Sequence, residues 1–232
     1  MTDRRKFRRE GEERRRDQLI AAALEIIAEA GPAGATVRAI AARAGVTQGL
    51  IRHYFSCKEE LTRAAYQALM SRLAEVNKAV LDHVTPDAET RLAAFVAAAL
   101  RPPVMDGHAM GLWSGFIHLV RQDQGMAGVH EAYYLAYRHQ IEQLIDALPG
   151  RRSATYLRRQ GIACAAVIDG LWLEGSLDSN GFGTDELARI GVAAVGAILG
   201  IDLLPFLTPP PDTTPHMTPL ARQDIPQKEL ST

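Results

Sequence analysis

Thr36 to Glu60 reads TVRAIAARAGVTQGLIRHYFSCKEE, which has the pattern of two short helices, a tight turn between them and the start of a third helix. Thr36 is placed to cap the first helix, whose apolar face is Val37, Ile40, Ala41 and Ala44. Gly45 stops that helix, because glycine accepts the left-handed conformation that follows a helix C-terminus. Val46 fills the inside of the turn. Thr47 caps the second helix, with Leu50, Ile51 and Tyr54 inward and Gln48, Gly49, Arg52 and His53 mostly outward. Ser56 and Glu59 have the S-x-x-E spacing of a capping box, so a longer helix opens there. Helix, glycine turn and helix, with a polar and basic outer face, describe a helix-turn-helix whose second helix suits a major groove.

The side chains on that outer face have the right chemistry. Gln48 can pair with adenine, and Arg52 with guanine or a phosphate. Thr47, His53 and Tyr54 can donate to phosphates. Gly49 costs about 1 kcal/mol against alanine inside a helix, so its presence points to close approach of another backbone. Lys58 falls in the first turn of a helix, where a cation is unfavourable unless an anion is bound beside it.

Working outward, residues 1–16 carry eight basic side chains (Arg4, Arg5, Lys6, Arg8, Arg9, Arg14, Arg15, Arg16) against four acidic ones. They read as a mobile basic arm, either a solvated tail or a DNA-contacting one. The net charge of −1 hides this asymmetry, since the rest of the chain is acidic on balance. A 232-residue chain that is 47% apolar, rich in alanine and poor in aromatics favours close-packed helices. No run of about eighteen apolar residues is present, so no membrane span is expected. The two cysteines, Cys57 and Cys164, suit a reducing cytoplasm. Cys57 at a helix start is either a redox-sensitive thiol or a spectator.

The first helix is expected from Asp17 to Ala30, with Leu19, Ile20, Ala23, Ile26, Ile27 and Ala30 on its stripe and Gly31-Pro32 ending it. A fourth helix runs from Ser56 to about Val84, long enough to leave the DNA-binding part. A fifth covers Ala88 to Leu100, a sixth 108–121, a seventh Ala127 to Leu148, an eighth Ser153 to Leu177 and a ninth Thr184 to Gly200. The ninth is expected to have Leu187, Ile190, Ala194, Ala197 and Ile198 on one face. From Leu204 prolines recur and predict a non-helical, disordered tail. The fold class is therefore all-α: an N-terminal three-helix DNA-binding domain over 17–63 and a C-terminal helical ligand-binding and dimerisation domain over 64–203. Helices eight and nine are rich in glycine and alanine and too apolar for water on their outer sides, which favours a homodimer packed as a four-helix bundle. A two-fold protein also fits a palindromic operator.

The motif G-V-T-x-G-x-x-x-x-Y-F-x-x-K over Gly45 to Lys58, with Thr36, Ile40, Ala41, Ala44 and Leu61, resembles the TetR family of bacterial transcriptional repressors. The segment Ala166 to Leu173, A-V-I-D-G-L-W-L, resembles the BetI-like branch, repressors of choline and betaine metabolism. The resemblance implies that Val37 and Arg38 join Thr47, Gln48, Gly49, Arg52, His53, Tyr54 and Lys58 at the DNA-facing positions. The Arg52-His53 pair departs from the usual pattern. The resemblance also implies a small-molecule inducer in the larger domain.

Trp113, Phe116, Tyr133, Tyr137 and Trp172 are candidates for the wall of that cavity, although each taken alone suits a packed core better. Asp169 interrupts an apolar run and is either a pocket counter-ion or the partner of an arginine such as Arg121 or Arg138. An aromatic wall with one carboxylate suits a quaternary ammonium, choline first. A neutral or aromatic ligand is the alternative. The histidines lack metal-ligand spacing, and there is no phosphate loop or nucleophile elbow, so neither cofactor nor enzyme chemistry is expected. A helical enzyme using Asp169 and a histidine, and a non-specific architectural DNA binder, are the competing functions.

Overall fold

The computed structural model describes residues 2–105, 107–178 and 181–209, and side chains from Gly11 onward except at 107, 108, 110 and 114. Helix is the regular structure throughout these residues. The chain divides into two compact units between Ala65 and Tyr66, inside a continuous helix.

The first unit holds α1 (Thr2–Gly34), α2 (Val37–Arg43), α3 (Gln48–Tyr54) and the start of α4 (Lys58–Ala79). Leu19, Ile20, Ala23, Ile26 and Ile27 of α1 are buried together with Ile40, Ile51, Phe55 and Leu61. Burying side chains of this size contributes about 1.5–3 kcal/mol each. Thr36 caps α2 by accepting the Ala39 N–H at 3.1 Å, and Thr47 caps α3 by accepting the Leu50 N–H at 3.4 Å. Gly45 sits at φ 64°, the left-handed conformation that lets the Val46 N–H fold back on the Ala41 carbonyl at 2.9 Å. Arg43 pins the end of α2 to α1 through Glu29 at 2.6 Å and Glu25 at 3.0 Å.

The second unit continues along α4 and adds α5 (Ala88–Ala99), α6 (Gly107–Val120), α7 (Gln124–Asp146), α8 (Ala154–Leu177) and α9 (Glu186–Leu199). Alpha-five is its axis. Leu92 through Ala97 are all buried, as expected of a helix apolar on every side. It packs against α7 and α9, and α8 lies against both α7 and α9. Arg101 just beyond α5 reaches Asp185 before α9 at 2.5 Å and the Thr208 carbonyl at 2.9 Å, joining three distant segments.

Several sequence expectations are corrected here. The basic arm is helical in backbone from Thr2, continuous with the first helix to the break at Gly31 (φ 69°). Arg16 places its guanidinium 5.0 Å from the Phe55 ring centre. Glu60 rather than Glu59 closes the capping box: its carboxylate accepts the Ser56 N–H at 2.7 Å and hydroxyl at 2.6 Å. These bonds hold that carboxyl below its usual pKa. The acceptor is shifted by one residue because the helix begins at Lys58, which makes Glu60 its third residue. The seventh helix starts at Gln124, three residues early, because Asp123 caps it through the Met126 N–H at 2.8 Å.

On α9 the predicted face is split. Leu187 points inward with Val192 and Val195, while Ile190 and Ala197 are exposed. Gly161, Gly175, Gly191 and Gly196 of α8 and α9 serve packing within the chain, whereas Gly170 meets nothing within 4 Å. A Cβ on Gly191 would stand 2.3 Å from Leu100 Cδ1, and one on Gly175 would stand 1.9 Å from Met105 Cε. The tail is not wholly irregular, since Leu204–Phe206 form one 3-10 turn. Residues 210–232 of the expected tail lie outside the described residues.

Candidate nucleic-acid interface and ligand cavity

Alpha-three presents Gln48, Gly49, Arg52 and His53 to solvent, with Thr47 exposed at its N-cap and Tyr54 half-buried at its end. Arg38 on α2 is exposed and Val37 half-buried. The rings of His53 and Tyr54 meet edge to face at 5.1 Å. A Cβ on Gly49 would meet nothing nearer than Thr47 Oγ1 at 3.9 Å. Nothing inside the chain calls for glycine there. Lys58 Nζ donates to the Pro32 carbonyl at 3.3 Å, which ties it across to the end of α1. Two of its three N–H bonds remain for an acceptor outside.

The second unit contains a cavity of about 440 Å³, walled by α4, α5, α6, α7 and α8. At about 30 Å³ per water it has room for roughly fifteen waters, within the size range of sites for small organic ligands. Trp113, Tyr133, Tyr137, Asp169 and Trp172 line it, as the sequence pattern suggested. Phe116 does not. It is completely buried, with its ring 5.0 Å from that of Tyr66. Trp113 and Phe116 share a helix face at i, i+3, but they stand about 60° apart around the axis, and Phe116 is the one that packs on Tyr66.

The aromatic lining is orderly. Trp113 and Trp172 meet edge to face at 5.7 Å, and Phe95 stacks on Tyr137 at 5.5 Å. Asp169 stands at the rim, reachable by solvent yet walled by protein on most sides, and that desolvation pushes its carboxyl up to about 6. Among the described residues no basic group lies within ion-pair distance of it. Arg138 turns to Glu142 at 3.6 Å, and Arg121 is exposed. The arginine-paired alternative for Asp169 is therefore not what the fold builds. Burial, and then the Asp169 charge, raise the Tyr137 phenol, whose hydroxyl is buried without a hydrogen-bond partner.

Sequence reasoning missed His130, Tyr134, Asn77 and Phe95, which also line the cavity. A signal for two of them was present. His130, Tyr133, Tyr134 and Tyr137 recur at i, i+3, i+4, i+7 and form one face of α7. Phe95 and Asn77 gave none, because an apolar helix and a lone asparagine look alike in core and cavity.

Comparison with known proteins agrees with this architecture. Residues 19–65 match the family model described as bacterial regulatory proteins, tetR family. Residues 86–200 match the one described as BetI-type transcriptional repressor, C-terminal. The HTH-type transcriptional regulator BetI of Stenotrophomonas maltophilia is 32% identical over 180 residues, covering 76% of this chain and 88% of that protein. The protein of the same name from Paraburkholderia phytofirmans is 29% identical, covering 80% and 93%. Among solved structures, a chain from Pseudomonas aeruginosa PAO1 aligns with TM-score 0.72 at 29% identity, over 84% of this chain and 94% of that one. A transcriptional regulator from Rhodococcus sp. Rha1, at 22% identity over 84% and 99%, shares the fold with TM-score 0.66. An exposed, glycine-containing recognition helix and an aromatic-lined cavity, in a chain matched by both family models, show that this protein belongs to the TetR family of bacterial transcriptional repressors, with a C-terminal part of the BetI type.

Proposed function

We propose that this repressor binds a palindromic operator as a homodimer in the cytoplasm and releases it when a quaternary ammonium compound, choline first among them, enters the cavity of the second unit. The observation that carries the ligand class is the unpaired Asp169 carboxylate beside Trp113, Trp172 and the α7 tyrosines. A cation on such a wall gains about 0.5–2 kcal/mol per ring and offsets the cost of the desolvated carboxylate. The BetI-type relatives favour the same class. A cavity of 440 Å³ accepts choline together with ordered water, or a bulkier ammonium.

Exposed Gln48, Arg52 and His53, with half-buried Lys58, supply the base and phosphate donors, and the open space around Gly49 leaves room for a close sugar–phosphate approach. The dimer forms through the outer faces of α8 and α9. Leu173, Leu177 and Ile190 are 48%, 75% and 42% exposed there, with Ala166, Gly170, Ala193 and Ala197 between them. Such a stripe on two neighbouring helices is costly in water and suits a second copy of itself. The ligand acts by favouring one of two positions of α4, which alters the spacing of the two heads; only a ligand that distinguishes the two states can do so.

Calorimetry with choline on the full chain and on Asp169→Asn tests the ligand class. Heat with the parent protein that weakens at least tenfold in Asp169→Asn is the expected result. Absence of heat with choline, betaine aldehyde and tetramethylammonium, in protein that still binds its upstream DNA, removes the quaternary ammonium and leaves a neutral or aromatic ligand.

A further inference from the structure

Two hydrogen bonds tie α4 to the cavity wall, and neither belongs to the cavity itself. The Tyr66 hydroxyl meets His130 Nδ1 at 2.7 Å, and the Ser71 hydroxyl meets the Tyr133 hydroxyl. His130 and Tyr133 line the cavity from α7, whereas Tyr66 and Ser71 do not line it. Each pair thus joins a residue a ligand would touch to one it would not. We infer that these two pairs are the coupling element of the repressor: they hold α4 in its ligand-free position, and an occupant of the cavity breaks them.

The placement is suited to the task. Tyr66 is the first residue of the second unit, one residue past the last of the first, on a single uninterrupted helix. A shift of α4 at Tyr66 therefore bears on Lys58 to Ala65, the part of the same helix that belongs to the first unit. The Tyr66 ring is only 1% exposed and is held by Phe116 at 5.0 Å, so its hydroxyl has no freedom to follow a moving partner. The His130 ring stacks on Tyr134 at 5.9 Å, another cavity residue. Met70, Leu73 and Ala74 of α4 face the same space. An occupant therefore presses on α4 and α7 together, across the seam that these two hydrogen bonds close. A hydrogen bond weakens steeply once its heavy atoms pass about 3.5 Å, so parting the walls by about 1 Å is enough to release both. That makes the seam two-state rather than elastic, as a switch requires.

This inference rests on the reading of the cavity as the inducer site, and its test separates the two. Tyr66→Phe and Ser71→Ala, singly and together, remove the bonds on the α4 side and leave every cavity-lining residue in place. Because the bonds belong to the ligand-free state, their loss shifts the population towards the ligand-bound state, and linkage then moves the two affinities in opposite directions. Each single substitution is expected to shift the population ratio roughly fivefold, so the loss in ligand-free operator affinity and the gain in choline affinity multiply to about that factor. In the double variant the ratio of operator affinities without and with choline should approach one. Fluorescence anisotropy on a duplex from the chain's own upstream region and calorimetry with choline chloride read both. Opposite shifts support the coupling role, because damage to the fold would weaken both. Unchanged affinity for both operator and choline, or parallel weakening of the two, overturns it. If choline gives no heat with the parent protein, the ligand assignment fails, and the operator arm alone decides: weaker ligand-free operator binding at an unchanged melting temperature supports the seam, and unaltered binding overturns it.

Discussion

The indole N–H of Trp172 on α8 donates to the Ala99 carbonyl at the end of α5 at 2.9 Å. The same side chain therefore serves both as cavity wall and as a tie between two core helices. Trp172→Phe keeps an aromatic face and leaves a buried carbonyl unpaired, at a cost of about 1–3 kcal/mol. Trp172→Ala adds a cavity and should cost about 3–5 kcal/mol. With roughly 2–4 °C of melting temperature per kcal/mol for a chain of this size, thermal unfolding followed by circular dichroism should rank them parent, Phe, Ala. Ligand studies are therefore better done on Trp113, which is half-buried. Equal melting of Trp172→Phe and parent would mean the Ala99 bond adds nothing.

Lys58 and Gln48 should fail in different ways. Lys58→Ala removes a phosphate donor, so it should weaken binding to all duplexes alike and lower the salt slope by about one unit. Gln48→Ala should instead relax preference at particular base pairs, by about 1–3 kcal/mol at the position read. Binding measured over a panel of operator variants at several salt concentrations separates the two. Identical behaviour of both variants would displace α3 from the groove.

Asp169 gives a pH dependence with a definite sign. Its carboxyl is raised to about 6 by desolvation, so the folded chain holds that proton more tightly than the unfolded chain, whose carboxyl titrates at about 3.9. The ionised group thus subtracts stability above pH 6, and the penalty fades as pH falls from 6 towards 4. Asp169→Asn should accordingly raise the melting temperature at pH 7. Choline binding should move the other way, weakening as pH falls through about 6. His130, lowered by its own burial, also faces the cavity, so the part of the pH profile that survives in Asp169→Asn belongs to it. A choline affinity flat from pH 5 to 7.5 in the parent protein would take Asp169 out of the site.

The outer faces of α8 and α9 make a separate prediction. Ala197 is exposed in the single chain, so Ala197→Glu should leave the monomer folded. It should place a charge in the interface, raise the dimer dissociation constant at least a hundredfold and weaken operator binding with it. Sedimentation velocity at micromolar concentration measures this directly. A dimer indistinguishable from the parent would put the interface elsewhere.

What could be read from sequence was local. Thr36, Gly45 and Thr47 announce the helix-turn-helix because capping and turn geometry depend only on near neighbours, and their hydrogen bonds are where the spacing put them. Glu60 was missed in favour of Glu59 because a one-residue shift in the helix start moves the acceptor, and propensity does not fix a boundary that finely. The expected face of α9 was split because Ile190 and Leu187 are equally apolar, and only packing, which sets Leu187 against Gly175 of α8, decides which turns inside. Phe116 and Trp113 looked like one cavity wall for the same reason. The seam between α4 and α7 was invisible, since Tyr66 and His130 lie sixty-four residues apart and neither belongs to a motif.

The most direct test is anisotropy of a labelled duplex from the upstream region, titrated with the full chain in excess non-specific competitor DNA and then with choline. The account predicts binding that survives the competitor and is lost as choline is added. Binding no stronger than to the competitor, or a complex that no concentration of choline or betaine aldehyde disturbs, would contradict it.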